Sequence, residues 1–370
     1  MAKRKNQHYV PKYLLRGWTD DEMVAVYNLK NEEEYPRTNI SHLCSEDYIY
    51  GGPEAEESLD GLESIHARII RDLRKYRSFD VLDEIEILHF CAFVLLQRNR
   101  TKQRKREAEE MTDNLMKEYL RAQVEMGELD PELPSGRNAL DALDNVRITQ
   151  ENPLTLPMFH ALAGIDLIID LEVVVLENTS ETKFIVSDHP VVLDNRLFKG
   201  RVKRSPIGLQ NRGLQMFVPI SENVLMMLYD EVSYNVEYSD VKKRRVVTDS
   251  KKVVNGLNDL QIINALESVF YRYTGRKQEF KDAQNRLTEY VNQETTTFQK
   301  LSPEEHDFDS ENEMLEFGQN LAEYSPYLPF VRQRIEAEFV SRRHPELSEG
   351  WENYVDAILE DARKEAEEDC

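Results

Sequence analysis

The sequence predicts an α+β fold: a helical body packed on a small, mainly antiparallel sheet of four or five strands, with an acidic helical C-terminal extension. Two observations carry this prediction. Long segments of the first half place apolar residues every three or four positions, which is the spacing of amphipathic helices. Between residues 171 and 230, short segments rich in Val, Leu and Met are separated by polar turns, as in strands. No repeat recurs at a fixed period.

Composition limits the class of protein. The chain has 370 residues, of which 40% are hydrophobic and 31% charged, so it can bury a large core. No segment approaches the roughly 18 consecutive apolar residues of a membrane span. The start, "MAKRKNQHYV", is basic but no apolar segment follows it, so we do not expect a secretory signal. The three cysteines lack metal-binding spacing, which favours a reduced, cytoplasmic protein.

The formal charge of −22 is unevenly distributed. Residues 301–370 hold 20 acidic and 6 basic side chains, whereas the first 300 residues are much closer to neutral. Phosphate backbones need concentrated positive charge, so a general nucleic-acid coat is disfavoured. The stretches 97–106 and 242–245 leave a local basic groove open, with solvated helix or turn faces as the alternative. The acidic tail suggests a protein partner or an oligomer.

The elements follow in order. An extended arm leads into a short helix at "KYLLRGW", and "EMVAVYNLK" (22–30) is a predicted strand, with another at "YIY" (48–50). Helices are predicted over residues 54–76, 80–125 and 153–170. Two strands joined by the turn "ENTSET" are predicted within 171–193, and two more at 214–221 and 223–230. A helix over 250–273 begins at an N-cap, Asp249 or Ser250. The predicted domains are 1–275 and an acidic, mostly helical extension, 276–370.

Common cofactor and metal motifs are missing. The chain has no GxxxxGK[ST], GxGxxG, HExxH, CxxC or GxSxG sequence, so the chemistry must come from dispersed residues.

The segment "FIVSDHPVVL" (184–193) is the first candidate. A strand delivers Ser187, Asp188 and His189 to its end, where Pro190 forces the chain out of the sheet. An acid and an imidazole at a strand end suit general acid–base chemistry or metal ligation. In the structural alternative, Asp188 accepts backbone N–H groups in a turn.

The segment "LLQRNR" (95–100) is the second candidate. Gln97, Arg98 and Arg100 follow an apolar helix at the point where it should emerge from the core. A guanidinium group there could grip a phosphate or carboxylate through two parallel bonds. The alternative is an arginine that anchors the fold by pairing with a buried acid.

The segment "HYVPKYLLRGW" (8–18) is the third. Pro11 keeps the arm extended before the helix, and His8 could act as a base, a metal ligand or a phosphate donor. Neighbouring Lys and Arg residues should lower its pKa. In the alternative, the arm is pinned to the body and His8 bonds a carbonyl group.

Taken in order, these segments, together with "CSEDYIYGG", "FVPISENVLMMLYD" and "VNGLNDLQIINALESVFY", resemble the microbial family with an N-terminal HYVP motif, the domain of unknown function 4238. The resemblance covers residues 7–275. The family usually has Gln where this chain has Lys12, and commonly Asn where it has His189. That departure favours Asp188 over His189 as a functional residue.

The resemblance implies a shared set of polar residues and no established activity. From this set we expect His8, Arg98, Asp188 and Asn258 to meet in one pocket at the end of the sheet, with catalytic roles for the first three. We predict a substrate-binding role for six further members of the set, which are Tyr9, Arg16, Gln97, Ser187, Asn258 and Gln261. A divalent metal, Mg²⁺ or Mn²⁺, would be held by Asp188 and His8.

Three functions are compatible with these residues. The first is a hydrolase of phosphodiesters or nucleotides, such as a nuclease of toxin or phage-defence type, in which Arg98 holds phosphate charge. The second is a non-catalytic module that binds a nucleotide or peptide, with an anionic small molecule or nucleic acid as partner. The third is a structural or interaction protein in which the same residues form a buried polar network.

Overall fold

The computed structural model describes residues 6–132, 135, 138–197, 199, 208–291, 296–301, 314–319 and 324–334. Within these ranges the α+β prediction is confirmed, with two principal sheets where the sequence predicted one. The helices are α1 (Lys12–Leu15), α2 (Pro53–Tyr76), α3 (Glu84–Asn99), α4 (Lys102–Glu125), α5 (Ala139–Leu143), α6 (Thr155–Ala163), α7 (Lys251–Asn264) and α8 (Lys277–Val291).

The N-terminal arm forms a short ladder with a later segment. Strand β1 (Asn6–His8) pairs antiparallel with β4 (Ser45–Asp47), so the predicted strand at "YIY" is wrong and lies three residues earlier. Pro11, in the extended conformation, ends the arm and opens α1. The ladder fixes His8 beside the loop that precedes β4.

A four-stranded sheet holds the predicted strand at 22–30. Its order is β3 (Glu33–Asn39), β2 (Met23–Asn28), β12 (Ser268–Tyr271) and β6 (Val186–Ser187). Strand β12 falls inside the segment predicted as a helix to residue 273. The helix α7 ends instead at Asn264, because Ala265 is extended and "SVFY" pairs antiparallel with β2 and β6. Pairing with these two strands places the β-forming residues of that segment in a sheet, although the local pattern predicted a helix.

A five-stranded sheet contains most of the predicted β segments. Its order is β11 (Arg245–Thr248), β5 (Glu172–Asn178), β9 (Val224–Tyr229), β8 (Gln215–Ser221) and β7 (Val192–Asp194). Strands β11 and β5 run parallel, and the other neighbouring pairs run antiparallel. The two strands predicted to flank "ENTSET" therefore lie in different sheets, since β5 belongs here and β6 to the four-stranded sheet.

The helical body packs against one face of the five-stranded sheet. From Phe90 onward helix α3 is buried almost all round, as its apolar sequence predicted. The helix begins at a capping box formed by Asp83 and Glu86. The predicted helix over 80–125 is interrupted after Asn99. Thr101 is extended and its side chain accepts a hydrogen bond from the backbone of Arg104, so a new helix, α4, starts there. Helix α6 is shorter than predicted and ends at Gly164.

Helix α7 occupies the opposite side of the five-stranded sheet and also reaches β6. Ser250 caps it, as one of the two predicted N-caps. Its apolar residues, including Val253, Leu257 and Leu260, pack on Phe217 and Met227. Because α7 touches both sheets, its polar side chains can reach the backbone where the four-stranded sheet ends.

Beyond residue 276, α8 agrees with the predicted helical extension. Two described segments differ from it: β13 (Thr296–Leu301) and β14 (Met314–Gln319) form an antiparallel hairpin. Strand β15 (Val331–Gln333) pairs with β10 (Tyr234–Val236). The prediction for residues 335–370 lies outside the described residues, and the domain division at 275 stays a prediction.

Candidate functional site

The predicted binding residues Asn258 and Gln261 lie on α7 and bind the backbone around β6. The side-chain oxygen of Asn258 accepts from the Ile185 N–H at 3.0 Å, and its nitrogen donates to the Lys183 carbonyl at 2.9 Å. Gln261 accepts from the backbone N–H and the hydroxyl of Ser187, both at 2.9 Å. These amides satisfy the backbone at an edge of the sheet, which is a structural role.

Asp188 holds the turn between α7 and β12. Its carboxylate accepts three backbone hydrogen bonds, from Leu266 at 2.9 Å, Glu267 at 2.8 Å and Ser268 at 3.1 Å. Burial raises the pKa of this carboxyl to about 6, against the lowering effect of the three N–H donors. Asp188 therefore accepts backbone N–H groups in a turn, which is the structural alternative to a role in acid–base chemistry.

Arg98 lies beside His189, so the candidate segments 95–100 and 184–193 meet here. Burial lowers the pKa of Arg98 to about 10, and the charge of Arg104 lowers it further while Glu107 opposes the shift. The Thr101 hydroxyl lies 2.6 Å from Nδ1 of His189. Burial also lowers the pKa of His189 to about 4, so its ring is neutral at pH 7. Thr101 and Glu107 are members of this group that the sequence analysis did not name.

Tyr9 and Gln97 join the arm to helix α3. The Tyr9 N–H donates to the Cys44 carbonyl at 2.8 Å, and the Gln97 side chain donates to the Tyr9 carbonyl at 3.0 Å. The Tyr9 side chain is buried, and burial raises its pKa, with the charges of Cys44 and Asp188 adding to the shift. Arg16, by contrast, is exposed and forms a surface ion pair with Glu22 at 2.8 Å.

Gln97 bonds Arg100, a second arginine of the candidate segment 95–100. The Arg100 Nε donates to the Gln97 side-chain oxygen at 2.9 Å, and Nη1 donates to Glu63 at 2.6 Å. The Arg100 side chain is only 1% exposed. A buried guanidinium three residues after Gln97 lies on the same helical side as the amide that binds the arm. That spacing was the available signal for its role.

His8 belongs to the surroundings of Arg100. The charge of Glu63 acts on both His8 and Arg100. The Tyr50 hydroxyl donates to the His8 carbonyl at 2.8 Å, and the Tyr50 N–H donates to the Gln7 side chain at 2.9 Å. Tyr13 and His66 face the same guanidinium group. We call this group the Arg100 cluster, and its members are Gln7, His8, Tyr13, Tyr50, Glu63, His66 and Arg100.

The two histidines of the Arg100 cluster are held neutral. Burial lowers the pKa of His66 to about 3, and the positive charge of Arg100 lowers it further. Burial and the charge of Lys12 lower the pKa of His8, while hydrogen bonds from its ring to the backbone carbonyl groups of Ile40 and Ser41 oppose the shift. His8 therefore makes the carbonyl contact of the structural alternative. Because the rings carry no charge at pH 7, their nitrogens can donate or accept a hydrogen bond.

Apart from Arg16, which lies at the surface, the predicted site residues thus fall into three places. His8, Tyr9 and Gln97 meet at or beside the Arg100 cluster. Ser187, Asp188, Asn258 and Gln261 bind backbone around β6 and β12, and Arg98 lies with His189. Tyr9 connects the first two places, because the charge of Asp188 acts on its hydroxyl.

The two basic stretches are extensively paired with acids. In the first stretch, ion pairs join Arg100 to Glu63, Lys102 to Glu267, Arg104 to Glu107, Lys105 to Glu46, and Arg106 to Glu110. In the second, they join Arg244 to Glu172 and Arg245 to Glu177. Pairing of this kind leaves less positive charge to attract a phosphate backbone.

Within the described ranges, no group of three or more His, Cys, Asp or Glu side chains is arranged to hold a metal ion. The predicted metal ligands stand apart in their contacts, since His8 lies in the Arg100 cluster and Asp188 binds the turn before β12.

None of the described helices is both long enough and apolar enough to cross a membrane.

The comparisons with known proteins give one match. The family model described as "Protein of unknown function (DUF4238)" matches residues 6–274. Neither the curated proteins nor the solved structures yielded a match. The matched residues include the Arg100 cluster and both of the other groups described above.

Proposed function

The chain belongs to the DUF4238 family of proteins of unknown function, and we propose that it binds a small polar molecule at the Arg100 cluster. This is the ligand-binding function of the three that the sequence left open.

One observation carries the proposal: polar atoms in this cluster are buried without hydrogen-bond partners. Among the described residues, no partner is found for Nε2 of Gln7, Nε2 of His8, the Tyr13 hydroxyl or either ring nitrogen of His66. Gln7 is fully buried and His66 is 1% exposed. An unpaired buried polar group costs about 1–3 kcal/mol. Several of them around one guanidinium group are typical of a site that a ligand completes.

The contrast with the residues around β6 supports the assignment. There, the side-chain oxygens of Asn258 and Gln261 accept from backbone N–H groups, and their nitrogens donate to backbone carbonyl groups. A buried network whose groups are all paired stabilises the fold and leaves little for a ligand. In the Arg100 cluster, by contrast, buried polar atoms lack partners and can bind a ligand.

A small molecule fits better than a nucleic acid. The basic side chains of residues 97–106 and 242–245 are largely engaged by acids of the same chain. The unmatched atoms are buried, whereas a nucleic-acid backbone contacts exposed cations along a groove. Glu63 is partly exposed and His8 half-buried, so the cluster is nearest to solvent on that side.

Hydrolysis of a phosphodiester or nucleotide stays a prediction. A neutral His8 ring is in the protonation state that a general base requires. The same samples should therefore be assayed for release of phosphate and of nucleotides, with and without Mg²⁺ or Mn²⁺.

Thermal unfolding in the presence of small molecules tests the proposal. The panel consists of nucleosides, nucleotides, amino acids and short peptides, and a ligand that binds only the folded protein raises its Tm. The test variant is Tyr13→Phe, which removes the buried hydroxyl beside Arg100 and keeps the aromatic ring in the core. The control is Tyr119→Phe, at an exposed tyrosine of α4.

We expect at least one compound to raise the Tm of the natural protein by several degrees. The shift should be lost or greatly reduced in Tyr13→Phe and retained in Tyr119→Phe. If no compound raises the Tm, or if Tyr13→Phe responds as the natural protein does, the Arg100 cluster is not a ligand site. The structural-network function would then be favoured.

A further inference from the structure

The unmatched atoms of the Arg100 cluster are richer in donors than in acceptors. Nε2 of Gln7 can only donate, and Oε1 of the same amide group already accepts from the Tyr50 N–H. The Tyr13 hydroxyl can donate, and the neutral His66 ring supplies one donor and one acceptor. Nε2 of His8 is an acceptor, because the N–H of that neutral ring bonds the backbone of Ile40 and Ser41. Arg100 has N–H groups alone. A ligand that satisfies these atoms must present acceptors.

The charges in the cluster point the same way. Arg100 stays protonated: burial alone would lower its pKa, but the neighbouring Tyr50 and Glu63 raise it. Lys12 adds a second positive charge, which acts on the His8 ring. Glu63 is the acid that faces Arg100, and its side chain is 31% exposed while that of Arg100 is 1% exposed. The guanidinium group of Arg100 is therefore the buried charge of the cluster, while Glu63 and the exposed Lys12 lie toward solvent.

We infer that the ligand of the Arg100 cluster carries an oxyanion, a phosphate or carboxylate group, that accepts hydrogen bonds from Gln7, Tyr13 and His66 in the field of Arg100. This inference rests on the proposed function and specifies the chemistry of its ligand. Charge-assisted hydrogen bonds of this kind are about twice as strong as neutral ones. Burial strengthens them further, since water does not screen the buried guanidinium group.

Calorimetric titration at low ionic strength tests the inference. The probes are adenosine monophosphate, adenosine, inorganic phosphate and acetate, so that phosphate and carboxylate are separate arms and adenosine lacks an oxyanion. The variant Gln7→Glu keeps an oxygen for the Tyr50 N–H and replaces the unpartnered NH₂ group by a negatively charged oxygen. The matched control is Gln278→Glu on the exposed side of α8. Circular dichroism verifies folding, and Tyr13→Phe serves as the second variant if Gln7→Glu is unfolded.

We expect phosphate or acetate to bind, and adenosine monophosphate to bind at least tenfold more tightly than adenosine if phosphate is the group recognised. Gln7→Glu should weaken oxyanion binding at least tenfold, and Gln278→Glu should not change it. Equal binding of adenosine and its monophosphate, without binding of either simple anion, would overturn the inference. So would unchanged oxyanion affinity in a folded Gln7→Glu.

The inference and the proposed function fail differently. A neutral compound that stabilises the natural protein but not Tyr13→Phe leaves the site in place and refutes only the oxyanion. Absence of any ligand in both experiments refutes the site itself.

Discussion

The side chains of Gln97 and Arg100 form one hydrogen-bonded unit that ties the N-terminal arm to helix α3. Arg100 donates to the Gln97 oxygen at 2.9 Å, and the Gln97 nitrogen donates to the Tyr9 carbonyl at 3.0 Å. Both side chains are buried. One amide thus orients the guanidinium group and holds the strand that carries Gln7 and His8. The geometry of the Arg100 cluster depends on this pair.

Replacing Gln97 by Leu should destabilise the protein strongly. The substitution leaves the Tyr9 carbonyl and Nε of Arg100 buried without their partner, so we expect the free energy of unfolding to fall by about 2–4 kcal/mol. Urea denaturation measures the change. Gln278→Leu removes an exposed amide and should change the free energy by less than about 0.5 kcal/mol. A Gln97→Leu protein as stable as the natural one would show that the pair does not hold the arm.

Two glycines provide a matched test of the packing between the arm and the sheet. A Cβ on Gly17 would meet the carbonyl oxygen of Ile220 and lie 2.8 Å from Cα of Ser221, so Gly17→Ala forces the backbone apart. We expect a loss of at least about 2 kcal/mol in the free energy of unfolding. A Cβ on Gly61 meets nothing within 4 Å, and Gly61 lies inside helix α2.

Gly61→Ala should therefore stabilise the protein by about 0.5–1 kcal/mol, because alanine favours a helix interior over glycine. Thermal and urea unfolding of both variants compare the two effects. A Gly17→Ala protein of unchanged stability contradicts the close approach at Gly17, and a destabilised Gly61→Ala contradicts the open space around Gly61.

Asp188 should matter more for stability than its position at a strand end suggests. Asp188→Ala removes the acceptor of three backbone N–H groups, at Leu266, Glu267 and Ser268, so we expect the free energy of unfolding to fall by about 2 kcal/mol or more. Asp130→Ala, which removes an exposed acceptor for one N–H, is the control. If Asp188 instead serves mainly in catalysis, the variant keeps its stability and any hydrolytic activity is lost.

His189 should make the folded state less stable as the pH falls. Its folded pKa is about 4, below the unfolded value of 6.5, so the unfolded state binds the extra proton first. Between pH 7.5 and pH 5 this group alone should remove about 2 kcal/mol from the free energy of unfolding. His66, with a folded pKa of about 3, acts in the same direction, whereas Asp188, with a pKa of about 6, acts in the opposite one.

The comparison with His189→Gln isolates the contribution of this ring. Stability is measured by urea denaturation of both proteins at intervals from pH 7.5 to pH 5. The difference between their pH profiles should amount to about 2 kcal/mol, with the natural protein losing more stability toward acid. Parallel profiles would mean that His189 is not held neutral between Arg98, Arg104 and Glu107.

Local patterns in the sequence were sufficient for elements that bury one face. The spacing of apolar residues in α2 and the alternation of polar turns with apolar segments at β5, β8 and β9 predicted those elements, because the burial of a helix or strand face is encoded within a few residues. The break between α3 and α4 escaped that pattern, since helix-forming residues continue from one helix into the other through residues 97–106. Its signal was the capping residue Thr101.

The sequence by itself determined the α+β class, the main helices, the strand segments and the polar residues that lie in or near the functional candidates. Only the tertiary structure decided which of those residues share a site. Asp188 accepts from backbone N–H groups 78–80 residues away in the sequence, and Gln97 donates to the Tyr9 carbonyl 88 residues away. Hydrogen-bond partners so distant in the chain are chosen by how sheets and helices pack, which no local pattern records. The same packing assigned Arg100 to the side of His8 and Arg98 to the side of His189.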